Sequence, residues 1–383
     1  MVKLYTLLFV CTGLAWLYEN SYVTTPVGPR KSKTVYFLLM AYLVCFGGFR
    51  GQYNDTWTYR DAYVYLTYPF PEAWETIPTD LGGSPAFWIV NSFLKSYDVE
   101  VHLFLFFYFF WTTLFFMKFM KNYSDGLALT VFFFIATGCY QFNMAAMKQV
   151  MATGICLVAF PLALKRQRSL KLLYVLLVLV ATTFHAYAWM YLAVFFLDFR
   201  PWSGKTYLLL LGIIAGGFLF QPLLGTVVDI TSAIGENYTA DVLSGEGISS
   251  LRILVVWIPI ILSFIYRKEL FAECRRHERI IMHLTMLFAG IQFMGIFGTA
   301  LYFGRLSYYF CVMPCITLAW MLKKITKYYP REGKFLTVAA VVGYIAFLYF
   351  SNTIETDFNS SYAAITLSQF LQYFFNWLKG LHM

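Results

Sequence analysis

The strongest constraint on this chain is the recurrence of long, uninterrupted apolar runs from one end to the other. Val35–Phe49 and Val101–Phe119 are two examples. Hydrophobic residues make up 60% of the 383 residues and charged residues only 13%, against roughly 25% charged residues in a soluble domain. A membrane-spanning helix needs about 20 mostly apolar residues. The sequence therefore predicts an all-α fold, a polytopic transmembrane helical bundle.

The basic residues indicate which ends of the apolar runs face the cytoplasm. The net charge is +9, but most of the 29 Lys and Arg residues fall in short clusters between apolar runs. Such clusters mark cytoplasmic loops, so the charge does not indicate a nucleic-acid partner. Placing every cluster in the cytoplasm predicts about 12 crossings with both termini outside. The clusters are Arg30–Lys33, Lys118–Lys121, Lys165–Lys171, Arg200–Lys205, Arg267–Arg279 and Lys323–Lys334.

This topology predicts one integral membrane domain over residues 1–383, with three external segments. Residues 49–100 are expected to form an external loop or lid between the second and third helices, and residues 229–250 a second external loop. Residues 351–383 are expected to form an external tail that lies at the membrane interface, because much of its surface is aromatic. The run Leu170–Leu197 is too short for two full crossings, so it is expected to turn back near His185 inside the bundle.

Neither cysteine nor histidine spacing indicates a metal or a cofactor. The seven cysteines lie mostly in apolar runs, where we expect small core residues and no structural disulfide. The five histidines are scattered, and neither His-Glu-x-x-His nor Asp-x-Asp occurs. The first apolar run, Val2–Tyr18, lacks a small-x-small cleavage site after it and is expected to stay as a helix.

Polar and charged residues gather at the predicted outer end of the second helix, where Arg50, Asp55 and Tyr59 follow an apolar run. Charged side chains beside apolar runs are costly and are candidates for functional sites. Arg50 is predicted to bind a phosphate, and Asp55 to accept a proton or a sugar hydroxyl. The alternative is a local ion pair at a helix end.

Two later outer turns carry polar residues as well. Asn143, Lys148 and Gln149 lie at the apex of the run Gly126–Leu164. Lys148 can hold a phosphate as a point charge, or it can snorkel to the interface. His185 lies at the apex of the short hairpin, where it can act as a general base near neutral pH or serve as a hydrogen-bonded structural residue.

Two arginines complete the set of candidates. Arg252 begins a later apolar run, and Arg305 lies in the last outer turn with Tyr308 close by. Arg305 has apolar sequence on both sides. Its charge therefore requires a partner from another helix or an anionic ligand.

In their order and spacing, these residues resemble the EpsG family of exopolysaccharide-synthesis membrane proteins, a branch of the Wzy-type O-antigen and capsule polymerases. The resemblance covers roughly residues 35–320. Lys148 stands where the family usually has Arg, and Asn54-Asp55-Thr56 replaces the commoner Gly-x-Asp-Tyr. The motifs that carry the resemblance are Arg50-Asp55-Tyr59, then Asn143, Lys148 and Gln149 with Ala152, then Phe184-His185, and finally Arg305.

The resemblance implies a GT-C-like bundle that acts as a glycosyltransferase without a metal. It would join undecaprenyl-pyrophosphate-linked oligosaccharide repeat units on the outer face of the bacterial cytoplasmic (inner) membrane, with the active site outside. Other expected partners are membrane lipid and a chain-length regulator protein. The residues expected to bind the pyrophosphate are Arg305, Arg252, Lys148 and Arg50. The acceptor proton would go to His185 or Asp55. The expected sugar contacts are Tyr59, Asn143, Gln149 and Tyr308.

Other functions remain open at this point. A transporter or flippase of the same lipid-linked oligosaccharide would carry charges along the whole depth of the bundle and an internal repeat, neither of which the sequence shows. A membrane acyltransferase that modifies the polysaccharide would rest on His185 alone. A polymer ligase is a close mechanistic relative of the polymerase.

Overall fold

Helices make up nearly all of the regular structure, as the apolar runs predict, so the all-α helical bundle is confirmed. The computed structural model describes residues 2–25, 28–66, 70, 84–220, 222, 224–233, 246–355 and 358–381. Two short antiparallel pairs of strands accompany the helices in these ranges. They are β1 (Tyr22–Thr25) with β2 (Gly28–Lys31), and β3 (Arg50–Gln52) with β4 (Ala363–Ala364).

The first half of the chain runs as far as a hairpin whose return arm is a 3₁₀ helix, Ala186–Phe195, called the 3₁₀ arm below. Its helices are α1 (Val2–Asn20), α2 (Lys33–Gly48), α3 (Thr56–Val64), α4 (Pro85–Ser96), α5 (Val101–Tyr123), α6 (Leu127–Ala136), α7 (Cys139–Ala145), α8 (Met147–Ala163) and α9 (Arg168–Thr182).

The second half continues the bundle and ends in an amphipathic helix. Its helices are α10 (Gly204–Phe220), α11 (Leu224–Ala233), α12 (Ser250–Ile265), α13 (Arg267–Leu270), α14 (Arg276–Met294), α15 (Ala300–Ser307), α16 (Val312–Tyr328), α17 (Pro330–Tyr349), α18 (Phe358–Ser361) and α19 (Leu367–Gly380). A 3₁₀ turn, Tyr308–Phe310, separates α15 from α16, and a π-helical turn, Phe350–Glu355, follows α17.

Helix length and hydropathy identify the spans. Three helices can cross a membrane singly, namely α1, α5 and α17 with its extension to Asn352, and two bent pairs raise the number to five. Shorter apolar helices of 10–17 residues include α2, α8, α10, α12 and the 3₁₀ arm. These features of the described residues are those of a multi-pass membrane protein, while the count of 12 crossings stays a prediction.

Each bent pair breaks within a few residues of a predicted outer turn. The axes of α6 and α7 differ by 58°, and those of the segments Ala300–Phe310 and α16 by 57°. At the first break Gly138 has φ +81°, a conformation that side chains with a Cβ rarely adopt. At the second, Pro314 lies in the first turn of α16, where its ring would clash with the carbonyl of Phe310 in a continuous helix. Local sequence therefore explains both breaks.

The C-terminal tail contacts the start of the first segment that was predicted to be external. β4 pairs with β3, and the Ile365 amide donates to the Phe49 carbonyl at 2.9 Å. The Phe370 ring packs on Phe49 and Phe106, and the Trp377 indole donates to the Tyr97 carbonyl at 2.7 Å. Parts of all three predicted external segments lie outside the described residues, namely 67–69, 71–83, 234–245, 356–357 and 382–383.

At the opposite end of the bundle, basic residues form ion pairs and hydrogen bonds with acidic residues from other helices and loops. Asp198 pairs with Arg276 at 2.8 Å and with Arg279 at 2.6 Å. Arg275 pairs with Asp125 at 2.9 Å, and Lys323 donates to the Asp125 carbonyl. These contacts bring residues of two basic clusters, Arg267–Arg279 and Lys323–Lys334, to one end of the bundle, and the side of the membrane that this end faces stays a prediction.

The expectation that no cysteines pair is wrong. A disulfide joins Cys139, at the start of α7, to Cys311, at the break before α16, while the other five cysteines are free. Because both partners lie in apolar sequence far apart, spacing alone gave no sign of the pair. The disulfide links the two bent segments at the end of the bundle that carries the site.

We expect mass spectrometry to detect a Cys139–Cys311 cross-link in protein that is denatured and alkylated without reductant. The positive-inside prediction puts this end of the bundle outside the cytoplasm, where disulfides persist. The remaining five cysteines should carry the alkyl group. A sample reduced beforehand is the control and should be alkylated at all positions. Alkylated Cys139 and Cys311 in the unreduced sample would contradict the assignment.

Candidate functional site

Residues that the sequence placed in separate outer turns meet at one end of the bundle. The Arg305 guanidinium of α15 lies 3.1 Å from the Asp55 carboxylate, which precedes α3 and is 250 residues away in sequence. The two side chains are 46% and 35% exposed. The pair supplies the partner that Arg305 was expected to need, and it leaves both groups accessible from outside the protein.

Gln149 connects the Lys148 turn to the Arg305 segment. Its side-chain amide is buried and donates to the Arg305 carbonyl at 2.6 Å. The contact fixes the beginning of α8 against α15, so Lys148 and Arg305 belong to one site. In this position Gln149 orients the backbone of a cationic residue. Its predicted contact with sugar stays a prediction.

Lys148 lies against aromatic side chains of α4, a helix that belongs to the predicted lid. Its ammonium group is 4.7 Å from the centre of the Trp88 ring and 5.2 Å from that of Phe87. Tyr59 packs edge-on against Phe87. Burial and, secondarily, the Asp55 carboxylate raise the pKa of Tyr59 to about 12, so its hydroxyl stays protonated. The two described helices of the lid, α3 and α4, thus contribute side chains to the site.

His185 lies in the break between α9 and the 3₁₀ arm, outside both helices. Its Nδ1 atom is 2.6 Å from the hydroxyl of Tyr309. Burial, followed by the positive charges of Lys148 and Arg305, lowers the pKa of His185 to about 4. The imidazole is therefore neutral near pH 7, the state in which it can accept a proton.

Arg252 approaches the same end from α12. Its guanidinium donates to the Tyr308 hydroxyl at 3.4 Å, and the Tyr308 ring stacks on Phe142 with 4.2 Å between ring centres. The next residue, Asn143, is buried in α7. Tyr308 thus connects Arg252 to the apex that carries Asn143 and, further on, Lys148.

Arg50 occupies a different environment from the other cations. Its side chain is 1% exposed and donates to the Gly47 carbonyl at 2.7 Å and to the Thr56 hydroxyl at 3.3 Å. Burial lowers the pKa of Arg50 to about 10, so it remains charged near pH 7. The contacts fasten the start of α3 to the end of α2. Its binding of pyrophosphate stays a prediction.

Three aromatic residues of the site were not among the candidates predicted from the sequence. Tyr309, Phe87 and Trp88 contact His185 or Lys148, yet the chain holds 29 Tyr, 40 Phe and 10 Trp residues. The position of Tyr309, next to Tyr308 in the turn after Arg305, is the one sequence feature that could have placed it in the site. In the described part of the chain, no three His, Cys, Asp or Glu side chains are grouped as metal ligands.

The fold and site define a class, a multi-pass helical membrane protein with cationic and aromatic residues grouped at one end of its bundle. The chain belongs to the EpsG family, a family of Wzy-type polysaccharide polymerases, because the family model matches residues 33–375. The match includes every candidate site residue. A search of curated proteins and a search of solved structures found no significant match.

Arg50 and Asp55 are expected to differ in their effects on stability. Arg50→Gln should lower the free energy of unfolding by about 1.5–3 kcal/mol, since it removes buried hydrogen bonds from a charged group. Asp55→Asn should cost at most about 1 kcal/mol because the Asp55–Arg305 pair is partly exposed. Thermal unfolding of both purified variants in one detergent measures the difference. Equal losses would contradict this distinction between a structural and an accessible charge.

Proposed function

We propose that this protein is a polysaccharide polymerase that joins undecaprenyl-pyrophosphate-linked oligosaccharide repeat units on the outer face of the bacterial cytoplasmic membrane. The observation that carries the proposal is the convergence of Lys148, Arg305, Asp55 and His185 at one end of the bundle. The reaction is proposed to need no metal, since the sequence carries no metal-binding pattern. Membership in the EpsG family supports the same function.

The cations are proposed to stabilise the leaving group. When the bond between the sugar and the pyrophosphate breaks, negative charge develops on the pyrophosphate, and fixed positive groups near it lower the barrier. Arg305 can bind two phosphate oxygens through its planar guanidinium, whereas Lys148 acts as a point charge. The Asp55–Arg305 pair is partly exposed, so a pyrophosphate oxygen can compete for Arg305. Arg252 is proposed to contact the pyrophosphate from α12.

His185 is proposed as the general base. Its neutral imidazole can accept a proton, and it lies near Lys148 and Arg305, the cations proposed to bind the leaving group. In the proposed step, the acceptor hydroxyl oxygen bonds to the anomeric carbon and its proton passes to His185. The bond from that carbon to the pyrophosphate breaks, and polyprenyl pyrophosphate leaves. The negative charge on the leaving group offsets the repulsion between the new imidazolium and the nearby cations.

The lid helices α3 and α4 are proposed to form the wall that binds the acceptor sugar. They carry Tyr59 and Trp88, and aromatic rings offer flat apolar surfaces with a polar edge. Asn143, Gln149 and Tyr308 are proposed to contact sugars from the bundle side. A chain-length regulator protein stays a predicted partner.

Arg305→Ala should shorten the polymer made in a deletion strain that is complemented with the variant. The loss of one charge-stabilising group corresponds to a rate about 10²–10³-fold lower. His185→Ala should lower the rate by about 10²–10⁴-fold. Polymer length on a gel is the measurement, with membrane levels compared by immunoblot. Arg166→Ala is the matched control, because Arg166 is exposed and lies between α8 and α9, in the basic cluster predicted to face the cytoplasm.

Long polymer of normal length from well-expressed Arg305→Ala and His185→Ala strains would contradict the proposal. An assay of purified protein with lipid-linked repeat units distinguishes a polymerase from the main alternative, a transporter. Oligomeric product indicates a polymerase, whereas movement of unchanged substrate across vesicle membranes indicates a transporter.

For the wild-type protein, kcat/KM measured as a function of pH should stay high at acid pH. His185 must be neutral to act as a base, so the rate falls as pH drops through its pKa. Because that pKa is lowered to about 4, activity should persist at pH values below about 6.5, the ordinary pKa of histidine. Lys148→Met should move the acid limb to higher pH, since it removes a neighbouring positive charge.

Lys95→Met is the matched control for this shift, because Lys95 lies against the Tyr63 ring and donates to the Val64 carbonyl. It should leave the acid limb in place. A half-maximal rate near the ordinary pKa of histidine in the wild type would count against His185 as the base.

A further inference from the structure

The hydroxyl group of Tyr309 lies within hydrogen-bond distance of His185, and the proposed reaction has not yet used it. Tyr309 is fully buried in the 3₁₀ turn between α15 and α16. Its oxygen lies 2.6 Å from Nδ1 of the imidazole, and the two rings are inclined at 70°. The contact joins residues 124 positions apart, so it depends on the packing of the hairpin against the Arg305 segment.

Tyr309 is itself held by a chain of buried tyrosines. The Tyr174 hydroxyl of α9 donates to the Tyr191 carbonyl at 2.6 Å, and the Tyr191 hydroxyl of the 3₁₀ arm donates to the Tyr309 carbonyl at 2.6 Å. All three side chains are fully buried. Each hydrogen bond crosses between two segments, so the chain fixes the turn that carries Tyr309 relative to both arms of the hairpin.

We propose that Tyr309 is a positioning residue for His185, whose hydroxyl oxygen accepts a hydrogen bond from Nδ1–H and so keeps the lone pair of the imidazole on Nε2. The inference rests on the proposed function, in which His185 takes the acceptor proton. To that function it adds which tautomer of the imidazole is present and that Nε2 is the nitrogen that takes the proton.

The chemistry of the imidazole favours this direction of the hydrogen bond. A neutral imidazole carries one N–H, and a tyrosine hydroxyl can either donate to the other nitrogen or accept from the N–H. If Tyr309 donated to Nδ1, that bond would have to break or reverse when His185 took a proton, since both nitrogens of the imidazolium carry hydrogen. If Tyr309 accepts, the same bond persists through the reaction and stabilises the imidazolium.

The charges around His185 make such an acceptor important. Among the described residues, titratable groups that face it include Lys148 of α8, Arg305 of α15, Tyr187 of the 3₁₀ arm and Tyr309 itself. The two cations oppose a positive charge on the imidazole. The Tyr187 hydroxyl receives a hydrogen bond from Tyr302 at 3.3 Å. The oxygen of Tyr309 is therefore placed to offset part of the repulsion in the protonated state.

Tyr309→Phe tests the inference in purified polymerase with lipid-linked repeat units. We expect kcat to fall about 10-fold, which is part of the roughly 10²–10⁴-fold that a general base contributes. The KM for the donor should stay unchanged because Tyr309 is not assigned to substrate binding. The acid limb of the kcat profile should move to lower pH, since the imidazolium loses its hydrogen-bond acceptor and its pKa falls.

Tyr174→Phe is the matched control, because it removes a buried tyrosine hydroxyl from the same chain without touching His185. It should keep the acid limb of the wild type. If Tyr309→Phe does not accumulate, difluorotyrosine at position 309 keeps the ring and the hydroxyl but weakens the oxygen as an acceptor. The acid limb should again move to lower pH.

Three results would overturn the inference. One is a Tyr309→Phe enzyme with the rate and pH profile of the wild type while His185→Gln is inactive, in which case the proposed function stands. Another is an equal loss of rate in Tyr309→Phe and Tyr174→Phe with unshifted acid limbs, which indicates a structural role alone. The third is a fully active His185→Gln, which removes the proposed base and the inference together.

Discussion

The structure depends on the need to satisfy polar backbone groups wherever a helix breaks inside an apolar bundle. Lipid offers no hydrogen bonds, so a break is tolerated only where the protein encloses it. Three breaks lie at one end of this bundle, near Gly138, His185 and Tyr308–Phe310. The Cys139–Cys311 disulfide joins the first break to the third, and the Tyr309–His185 hydrogen bond joins the second to the third. The site therefore forms where the broken segments support one another.

Two kinds of charge serve this end of the bundle. Arg50 is buried and fastens α3 to the end of α2, so its charge is part of the framework. Arg305 and Asp55 are partly exposed, and a ligand can compete for either member of the pair. At the opposite end, Asp198, Asp125 and the basic clusters form ion pairs with one another. The Arg275–Asp125 pair is as exposed as the Arg305–Asp55 pair, so exposure alone does not distinguish the two ends.

Much of the helical framework could be predicted from sequence, because hydropathy and break signals act locally. The ends of α1 and α2 and the break at His185 fall where the apolar runs and polar residues indicate. The partners of the site residues could not be predicted in this way. Arg305 finds Asp55 across 250 residues, and Lys148 lies on Trp88 of α4, in a segment that the sequence predicted only as an external loop or lid. The disulfide was missed for the same reason.

The sequence by itself determined the membrane class, the helical framework, the set of polar residues at the outer turns and the resemblance to the EpsG family. Each of these depends on residue type and on neighbours along the chain. Only the tertiary structure decided that Gln149 holds the Arg305 backbone, that Arg50 is buried and that Tyr309 meets His185. Such contacts depend on how helices distant in sequence pack, and with 29 tyrosines in the chain no local pattern selects the one that reaches the imidazole.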